Sequence, residues 1–360
     1  MWYEKFGFKD DPYVIRGPMR LPFEEINWNR DDLSDKPSLD RFIERVLNSR
    51  RVGMKIYGGG GSGKTWLLRY IEKTLTERSK GKALVLYTYG YIPALQPTFS
   101  IFYEKFLNEI EPHLPKILEA IDQKAAHKKV NWIRHLGDKD LATALWNIHE
   151  EGEVGVYKPW LSGERMSLTE LHKIDIASPL VGDYKKYEVI RTLIEHSLLV
   201  FSSFTLIVDE LENAPPVLAK GLGDSLRDLM DSFYDKFSLV CSYTTEIADE
   251  MIDWGYGIFL YGRLEHEVKM DALGVNAAID FLRIHQKGYR KVGYKVEDQL
   301  FPFEESGVKR LIELIDPKDC YPRTILTNCG VLAEEAARQD AKVTAKFVNG
   351  NKEFLSSLVS

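Results

Sequence analysis

Residues 58–65 are the part of the sequence whose residue types and spacing indicate chemistry most clearly. They read Gly-Gly-Gly-Gly-Ser-Gly-Lys-Thr and match the phosphate-loop pattern G-x-x-x-x-G-K-[ST]. Glycines let backbone N–H groups converge on a phosphate without a Cβ atom in the way. The lysine supplies a cation for the β- and γ-phosphates, and the threonine hydroxyl can ligate Mg²⁺. We therefore expect ATP and Mg²⁺ as cofactors, bound by Gly58, Gly59, Gly60, Gly61, Ser62, Gly63, Lys64, Thr65 and Trp66.

Two adjacent carboxylates follow an apolar run later in the chain. Residues 204–208 read Phe-Thr-Leu-Ile-Val, and Asp209 and Glu210 come directly after them. This order is typical of a Walker B strand, a buried parallel strand whose carboxyl end presents an aspartate to the Mg²⁺ shell. Asp209 is the predicted metal ligand together with Thr65, and Glu210 is predicted to orient and polarise the attacking water. An ordinary strand end can show the same letters, but the phosphate loop upstream favours a nucleotide site.

The sequence around these motifs predicts the elements that would position them. Residues 54–57 form a short apolar strand before the phosphate loop, and residues 66–71 begin an amphipathic helix after it. The phosphates would therefore lie at a helix N-terminus. Hydrophobic periodicity also predicts a helix at 38–48, strands at 83–88, 238–245 and 266–270, and helices at 275–287, 305–315 and 322–338.

Composition is that of an ordinary soluble globular protein. The formal net charge of −6 argues against bulk nucleic-acid binding but is compatible with a local basic patch. Cys241, Cys320 and Cys329 lack metal-ligand spacing, so we interpret them as reduced thiols of a cytoplasmic protein. The sequence contains neither a signal-like N-terminus nor an apolar stretch of membrane-spanning length, so we expect no membrane partner.

The order of the motifs resembles that of the AAA+ ATPases, and within them the ORC-type initiator-like branch. This branch includes archaeal and bacterial ORC-like ATPases and an ATPase of BREX phage-defence systems. The segments that carry the resemblance are Phe6–Tyr13 (an "FGF…NPF" lead), Trp160–Arg165 (the "WLxGE" segment of BREX-type members), Asp209–Glu212 (an extended Walker B) and Cys320–Leu326 (the "PRxxL" lid motif). The resemblance implies an enzyme that hydrolyses ATP to ADP and phosphate.

The expected fold is a P-loop α/β domain of AAA+ type, with a parallel sheet flanked by helices and a C-terminal helical lid. Only one crossover helix is needed before the Walker B strand, so most of residues 100–203 is predicted to be a helical insertion. We expect residues 31–262 to form the α/β domain and residues 263–360 the fifth strand and the lid. Residues 1–30, aromatic and interrupted by proline, are expected to pack on the ATPase core.

The resemblance also implies roles for three further residues. Thr244 matches sensor 1 at the end of the fourth strand, with Thr245 as the alternative because strand ends are uncertain by a residue or two. Arg323, which follows Pro322, matches sensor 2, which faces the nucleotide from the lid. Arg263, just before the fifth strand, matches the arginine finger that a neighbouring subunit inserts, which implies a homo-oligomer. A polar strand end and two solvated arginines are the plainer alternatives.

Two basic runs without acidic residues, 124–135 and 283–295, combine cations with aromatic residues, which suits phosphate contact and base stacking. A solvated helix face is the plainer interpretation of each run. The candidate nucleic-acid contacts are Lys128, Lys129, Lys287, Arg290 and Lys291. The initiators that the chain resembles carry a winged-helix DNA-binding domain after the lid. We expect none here, because the residues after Arg323 suffice only to complete the lid.

These predictions are compatible with two functions. The first is a Mg²⁺-dependent ATPase that acts as an ATP-controlled assembly switch and is DNA-associated, in replication, a mobile element or phage defence. The second is a signalling switch like the STAND NTPases, in which the insertion binds a protein partner and DNA is not involved. The basic runs favour the first function, whereas the acidic net charge and the missing winged helix favour the second. Purely structural nucleotide binding is disfavoured because Lys64, Asp209 and Glu210 are all present.

Overall fold

The computed structural model describes residues 1–14, 35–89, 99–152, 154–213, 216–233, 235–353 and 355. Its centre is a five-stranded parallel sheet formed by β1 (Val52–Gly58), β2 (Ala83–Tyr89), β3 (Ser203–Asp209), β4 (Phe237–Thr244) and β5 (His266–Lys269). The strands lie in the order β2-β3-β4-β1-β5. β1 and β3 are buried along their whole length, as expected for parallel strands covered by helices on both faces.

The helices are, in chain order, α1 (Lys36–Leu47), α2 (Lys64–Arg78), α3 (Phe99–Ile110), α4 (Leu114–Ala125), α5 (Lys129–Leu136), α6 (Lys139–Glu151), α7 (Val154–Leu161), α8 (Leu168–Lys173), α9 (Asp183–Ser197), α10 (Pro216–Ser232), α11 (Gly257–Tyr261), α12 (Val275–Tyr289), α13 (Glu305–Leu314), α14 (Pro322–Gln339) and α15 (Ala345–Gly350). Helices α3 to α9 all lie between β2 and β3, where the sequence predicted helical structure. None of the helices in the described ranges is long and apolar enough to span a lipid bilayer.

Hydrophobic clusters cover the two faces of the sheet. On one face, side chains of α1 and α2, such as Phe42 and Leu68, pack with Ile56 of β1. On the other face, Phe106 of α3 stacks on Phe204 of β3 with ring centroids 6.4 Å apart. The same cluster continues through α4 to α9. The insertion therefore shares a hydrophobic core with the sheet, which fixes its position on the α/β domain.

A third cluster combines the lid helices α12 to α15 with the start of the chain. Phe6, Phe8 and Tyr13 are buried in this cluster. The guanidinium of Arg290 lies 4.0 Å from the ring centre of Phe8 and donates to the carbonyl of Phe6. We expected residues 1–30 to pack on the ATPase core. Residues 1–14 pack on the lid instead, because their aromatic rings complete its apolar core, and residues 15–30 lie outside the described residues.

Candidate nucleotide site

The phosphate loop lies at the carboxyl edge of the sheet, where open α/β sheets bind ligands. Gly58 ends β1 and pairs with Thr244 of β4, and Lys64 is the first residue of α2. Gly61 and Gly63 have φ angles of 81° and 100°, which only glycine adopts without strain. The loop therefore turns directly into the N-terminus of a 15-residue helix, whose first N–H groups have no partner within the helix.

Lys64 places its cation inside the loop. Its side chain is buried, and Nζ donates to the carbonyls of Gly58 at 2.8 Å and Gly59 at 3.0 Å. Burial lowers the pKa of Lys64, while the nearby carboxylates, Glu212 first and then Asp209, act against this shift. Phosphate oxygens would be stronger acceptors for this ammonium than backbone carbonyls, because both partners of the hydrogen bond would be charged.

Ser62 provides independent support for a ligand in the loop. Its side chain is fully buried, and its Oγ has no hydrogen-bond partner among the residues that the structure describes. Leaving a buried hydroxyl unsatisfied costs about 1–3 kcal/mol. A phosphate oxygen would supply the missing partner, so the residues of the loop fit a nucleotide.

Asp209 lies at the end of β3 and is only 1% exposed. Its Oδ2 accepts a hydrogen bond of 2.5 Å from the hydroxyl of Tyr87. Its Oδ1 accepts hydrogen bonds from the hydroxyl of Ser242 and, at 2.9 Å, from the backbone N–H of Glu210. Carboxylate and hydroxyl oxygens are ligands that Mg²⁺ prefers, so Asp209 and Thr65 fit this ion. Sequence analysis missed Tyr87 and Ser242, since they come from β2 and β4 and only the strand order places them beside Asp209.

The two glutamates after Asp209 differ in their surroundings. Glu210 is half-buried and has a left-handed backbone with φ of 57°, a conformation uncommon outside glycine. Glu212 lies in the short helical turn Leu211–Asn213, and its Oε2 is buried without a hydrogen-bond partner among the described residues. Sequence analysis included Glu212 in the extended Walker B but gave it no role. Of the carboxylates near Lys64, Glu212 nevertheless has the largest effect in raising the pKa of Lys64.

The two threonines at the end of β4 have different partners. Thr245 is buried, donates to Glu250 at 2.5 Å and accepts from the backbone N–H of Ile247 at 3.1 Å. Its hydroxyl therefore belongs to the turn that follows the strand. Both threonines lie beside Gly58 at the start of the phosphate loop, and Thr244 is half-buried. Because the hydroxyl of Thr245 is engaged in the turn, the sensor 1 prediction stays with Thr244.

A cleft of about 760 Å³ separates the phosphate loop from the lid. Arg323 lines it, and its backbone N–H donates to the carbonyl of Gly61 at 3.3 Å, so Arg323 lies at the loop of its own chain. The ring of Tyr321 lies so close to Gly59 that a Cβ atom there would be 2.4 Å from it. The hydroxyl of Tyr321 donates to Glu246. The cleft volume of about 760 Å³ is within the range of about 300–1,000 Å³ that is typical of ligand sites. Sequence analysis missed Tyr321 and Glu246, which are adjacent only through the packing of the lid.

Arg263 lies away from these residues. A Cβ atom on Gly53 would be 2.2 Å from the carbonyl oxygen of Arg263, so this residue sits near the amino end of β1. Gly53 precedes Gly58 by five residues, which corresponds to about 16 Å of strand. The guanidinium forms a bidentate ion pair with the carboxylate of Asp231, with both N–O distances 2.8 Å. Arg263 therefore cannot reach the phosphate loop of its own chain from this position.

The candidate nucleic-acid contacts fall into two groups. Arg290 is not available for such a contact, because its guanidinium donates to the carbonyls of Phe6, Gln299 and Phe301. Lys129 forms an ion pair with Asp175 at 3.3 Å. The remaining three candidates are exposed: Lys128, Lys287 and Lys291.

The whole fold is similar to solved structures of an ORC2 protein and of Cdc6p. The ORC2 protein of Aeropyrum pernix, solved as ADPNP–ADP complexes, is 12% identical with a TM-score of 0.57, covering 97% of this chain and 72% of that one. Cdc6p of Pyrobaculum aerophilum is 14% identical with a TM-score of 0.53, covering 93% and 68%. No protein-family model and no curated protein matches the chain. At such identities the likeness shows the fold. It confirms the predicted fold class, a parallel five-stranded sheet flanked by helices, and the predicted resemblance of this fold to ORC-type proteins.

Proposed function

We propose that this chain is a Mg²⁺-dependent ATPase that uses ATP binding and hydrolysis to control its assembly. One observation supports this function above all: the phosphate loop, the buried Asp209 and the lid residue Arg323 converge at one edge of the sheet. These three elements are far apart in the sequence. Gly59, Gly60 and Arg323 line one cleft, and Asp209 is close enough to Lys64 to act on its pKa. The loop also contains a buried hydroxyl without a partner among the described residues, and together these features fit a nucleotide site.

Each residue has a distinct task in the proposed reaction. Lys64 and the first N–H groups of α2 hold the phosphates. Asp209 and Thr65 would hold Mg²⁺, which would neutralise negative charge on the phosphates. Glu210 accepts the proton of the attacking water, and Thr244 orients that water from the end of β4. Arg323 acts from the lid of the same chain. Arg263, too far from its own loop, would complete the site of a neighbouring copy.

Glu210→Gln tests the assignment of the general base. We expect the variant to bind ATP within about twofold of wild type and to lose turnover by about 10²–10⁴-fold, because an amide cannot accept the proton. Nucleotide affinity and phosphate release measure the two effects separately. Glu265→Gln, a change at an exposed glutamate paired with Arg45, is the matched control. Wild-type turnover in Glu210→Gln would rule out the assignment, and loss of turnover in Glu212→Gln alone would move it to Glu212.

We propose DNA as a partner on the basis of the exposed lysines of the lid. Lys287 and Lys291 lie four residues apart at the end of α12 and just beyond it, next to the exposed Tyr294. Salt would weaken a contact between either lysine and a DNA phosphate, because the cations of the salt compete for the negative charge of the phosphate.

The double change Lys287→Ala and Lys291→Ala tests this contact. We expect weaker binding to double-stranded DNA in the presence of an ATP analogue, and a salt slope reduced by about 2, one for each lost phosphate contact. Alanine at Lys346 and Lys352, two other exposed lysines near the end of the chain, is the matched control. Wild-type protein with no nucleotide-dependent DNA affinity would contradict the proposal.

The alternative is the STAND-like switch, in which the insertion binds a protein partner. It is favoured by exposed apolar side chains on the insertion, among them Leu168, Val181 and Tyr184, the last of them 75% exposed. It is also favoured by Arg290 and Lys129, two cations of the basic runs whose charged groups already contact other residues of the chain. Absence of DNA binding together with nucleotide-dependent capture of a protein by residues 100–203 would select this function.

A further inference from the structure

The carboxylate of Asp209 is held from both neighbouring strands. Tyr87 of β2 donates to Oδ2, and Ser242 of β4 donates to Oδ1, which also accepts from the N–H of Glu210. An ionised carboxylate offers about four acceptor positions. Three donors therefore leave about one position for another partner, and they fix the rotation of the group about its Cβ–Cγ bond.

The position of Tyr87 is in turn set by the helix that follows the phosphate loop. Its ring is buried, and the guanidinium of Arg69, in α2, lies 5.0 Å from the ring centre. Arg69 is itself held by an ion pair with Glu72 at 2.5 Å, one turn further along α2. Because α2 begins at Lys64, the same rigid helix carries the loop cation and locates the hydroxyl that contacts Asp209.

We infer that Tyr87 and Ser242 are positioning residues for the metal-binding carboxylate, which they orient so that its remaining acceptor position is left for Mg²⁺ or a Mg²⁺-bound water. This inference rests on the proposed function. Partners that orient a metal ligand typically change metal affinity by about 10–100-fold when removed. The plainer alternative is that the two hydroxyls only satisfy a buried charge, in which case their loss would lower stability and leave the metal requirement unchanged.

Tyr87→Phe and Ser242→Ala each remove one hydroxyl and keep the rest of the side chain. We expect the Mg²⁺ concentration that half-saturates Mg²⁺-dependent binding of a fluorescent ADP analogue to rise about tenfold or more. Affinity for the same analogue in EDTA should stay within about twofold. Direct Mn²⁺ binding, followed by electron paramagnetic resonance in the presence of ADP, should weaken by a similar factor. Ser242→Thr, which keeps a hydroxyl, should restore most of the metal affinity.

Two control variants lose hydroxyls of the same kind elsewhere. Tyr103→Phe removes a buried hydroxyl that donates to the carbonyl of Leu161 in the insertion, at 2.6 Å. Ser238→Ala removes a buried hydroxyl on β4 itself that has no partner among the described residues. Both controls should keep the wild-type Mg²⁺ requirement. The melting temperature of Tyr103→Phe shows how much stability a lost hydrogen-bonded hydroxyl costs, whereas Ser238→Ala breaks no hydrogen bond and should change stability little.

The inference is overturned if Ser242→Ala and Tyr87→Phe keep the wild-type Mg²⁺ requirement while wild type binds the analogue in a Mg²⁺-dependent way. It is also overturned if their affinity in EDTA falls as much as their affinity in Mg²⁺. Should Tyr87→Phe fail to fold, the comparison of Ser242→Ala with Ser242→Thr decides. Wild-type protein that binds no nucleotide, with or without Mg²⁺, would instead overturn the proposed function, and the inference with it.

Discussion

Lys64→Ala is expected to abolish measurable ATP binding at micromolar protein. The ammonium of Lys64 lies inside the phosphate loop, within 3.0 Å of the carbonyls of Gly58 and Gly59. Removing one partner of a buried, hydrogen-bonded charge pair typically costs about 2–5 kcal/mol. We therefore expect the affinity for ATP to fall by at least about 30-fold. Titration with a fluorescent ATP analogue measures this loss.

The matched control is Lys73→Ala, a change later in the same helix, where Nζ of Lys73 lies 4.0 Å from Oε1 of Glu77. It should bind ATP as wild type does. Stability should be kept in Lys64→Ala, because burial lowers the pKa of Lys64 and the alanine variant no longer buries this charge. A folded Lys64→Ala protein whose ATP affinity is within tenfold of wild type would contradict the assignment of the phosphate loop.

Arg263→Ala is expected to lower ATP turnover by about 10³-fold or more at concentrations where subunits assemble. The reason is the distance between Arg263 and the phosphate loop of its own chain, which implies that any contact with a phosphate occurs in a neighbouring copy. Turnover per subunit should rise with protein concentration in wild type, and this rise should vanish in Arg263→Ala. ATP affinity should hardly change, because the residue belongs to another subunit's site.

Asp231 and Lys64 supply the comparison variants. Asp231→Asn weakens the pair that holds Arg263 and should keep activity, which separates loss of the ion pair from loss of the finger. A mixture of Arg263→Ala with Lys64→Ala should recover turnover, since the Lys64→Ala subunit offers an intact Arg263 to its neighbour. Turnover that is independent of concentration, together with a silent Arg263→Ala, would end the oligomeric mechanism and favour a monomeric switch.

The structure changes how two of the predicted residues are to be used in such experiments. Arg290 was expected to be a candidate DNA contact, but its guanidinium holds the start of the chain on the lid. A substitution of Arg290 would disturb the lid, so a loss of DNA binding in that variant would not show that Arg290 contacts DNA. Thr245 was the alternative sensor, but its hydroxyl is bonded to Glu250. Thr244 is therefore the threonine to change.

The sequence by itself was sufficient for the parts of this protein that depend on local pattern. The glycine spacing before Lys64 requires a turn with positive φ, and the apolar run before Asp209 requires a buried strand, whatever else surrounds them. These two motifs predicted the α/β fold, the helix after the loop and the residues of the loop itself. Hydrophobic periodicity predicted the helices of the C-terminal part, and the resemblance to the ORC-like AAA+ ATPases identified them as a lid.

Only the tertiary structure decided which side chains meet. Tyr87, Ser242 and Asp209 lie on three different strands, and they are neighbours because the strand order places β3 between β2 and β4. Residues 1–14 pack on the lid because their aromatic rings fit into its apolar core. Periodicity shows that a residue will be buried, but its partners depend on pairings across long stretches of chain, and those are chosen by the packing of the whole fold.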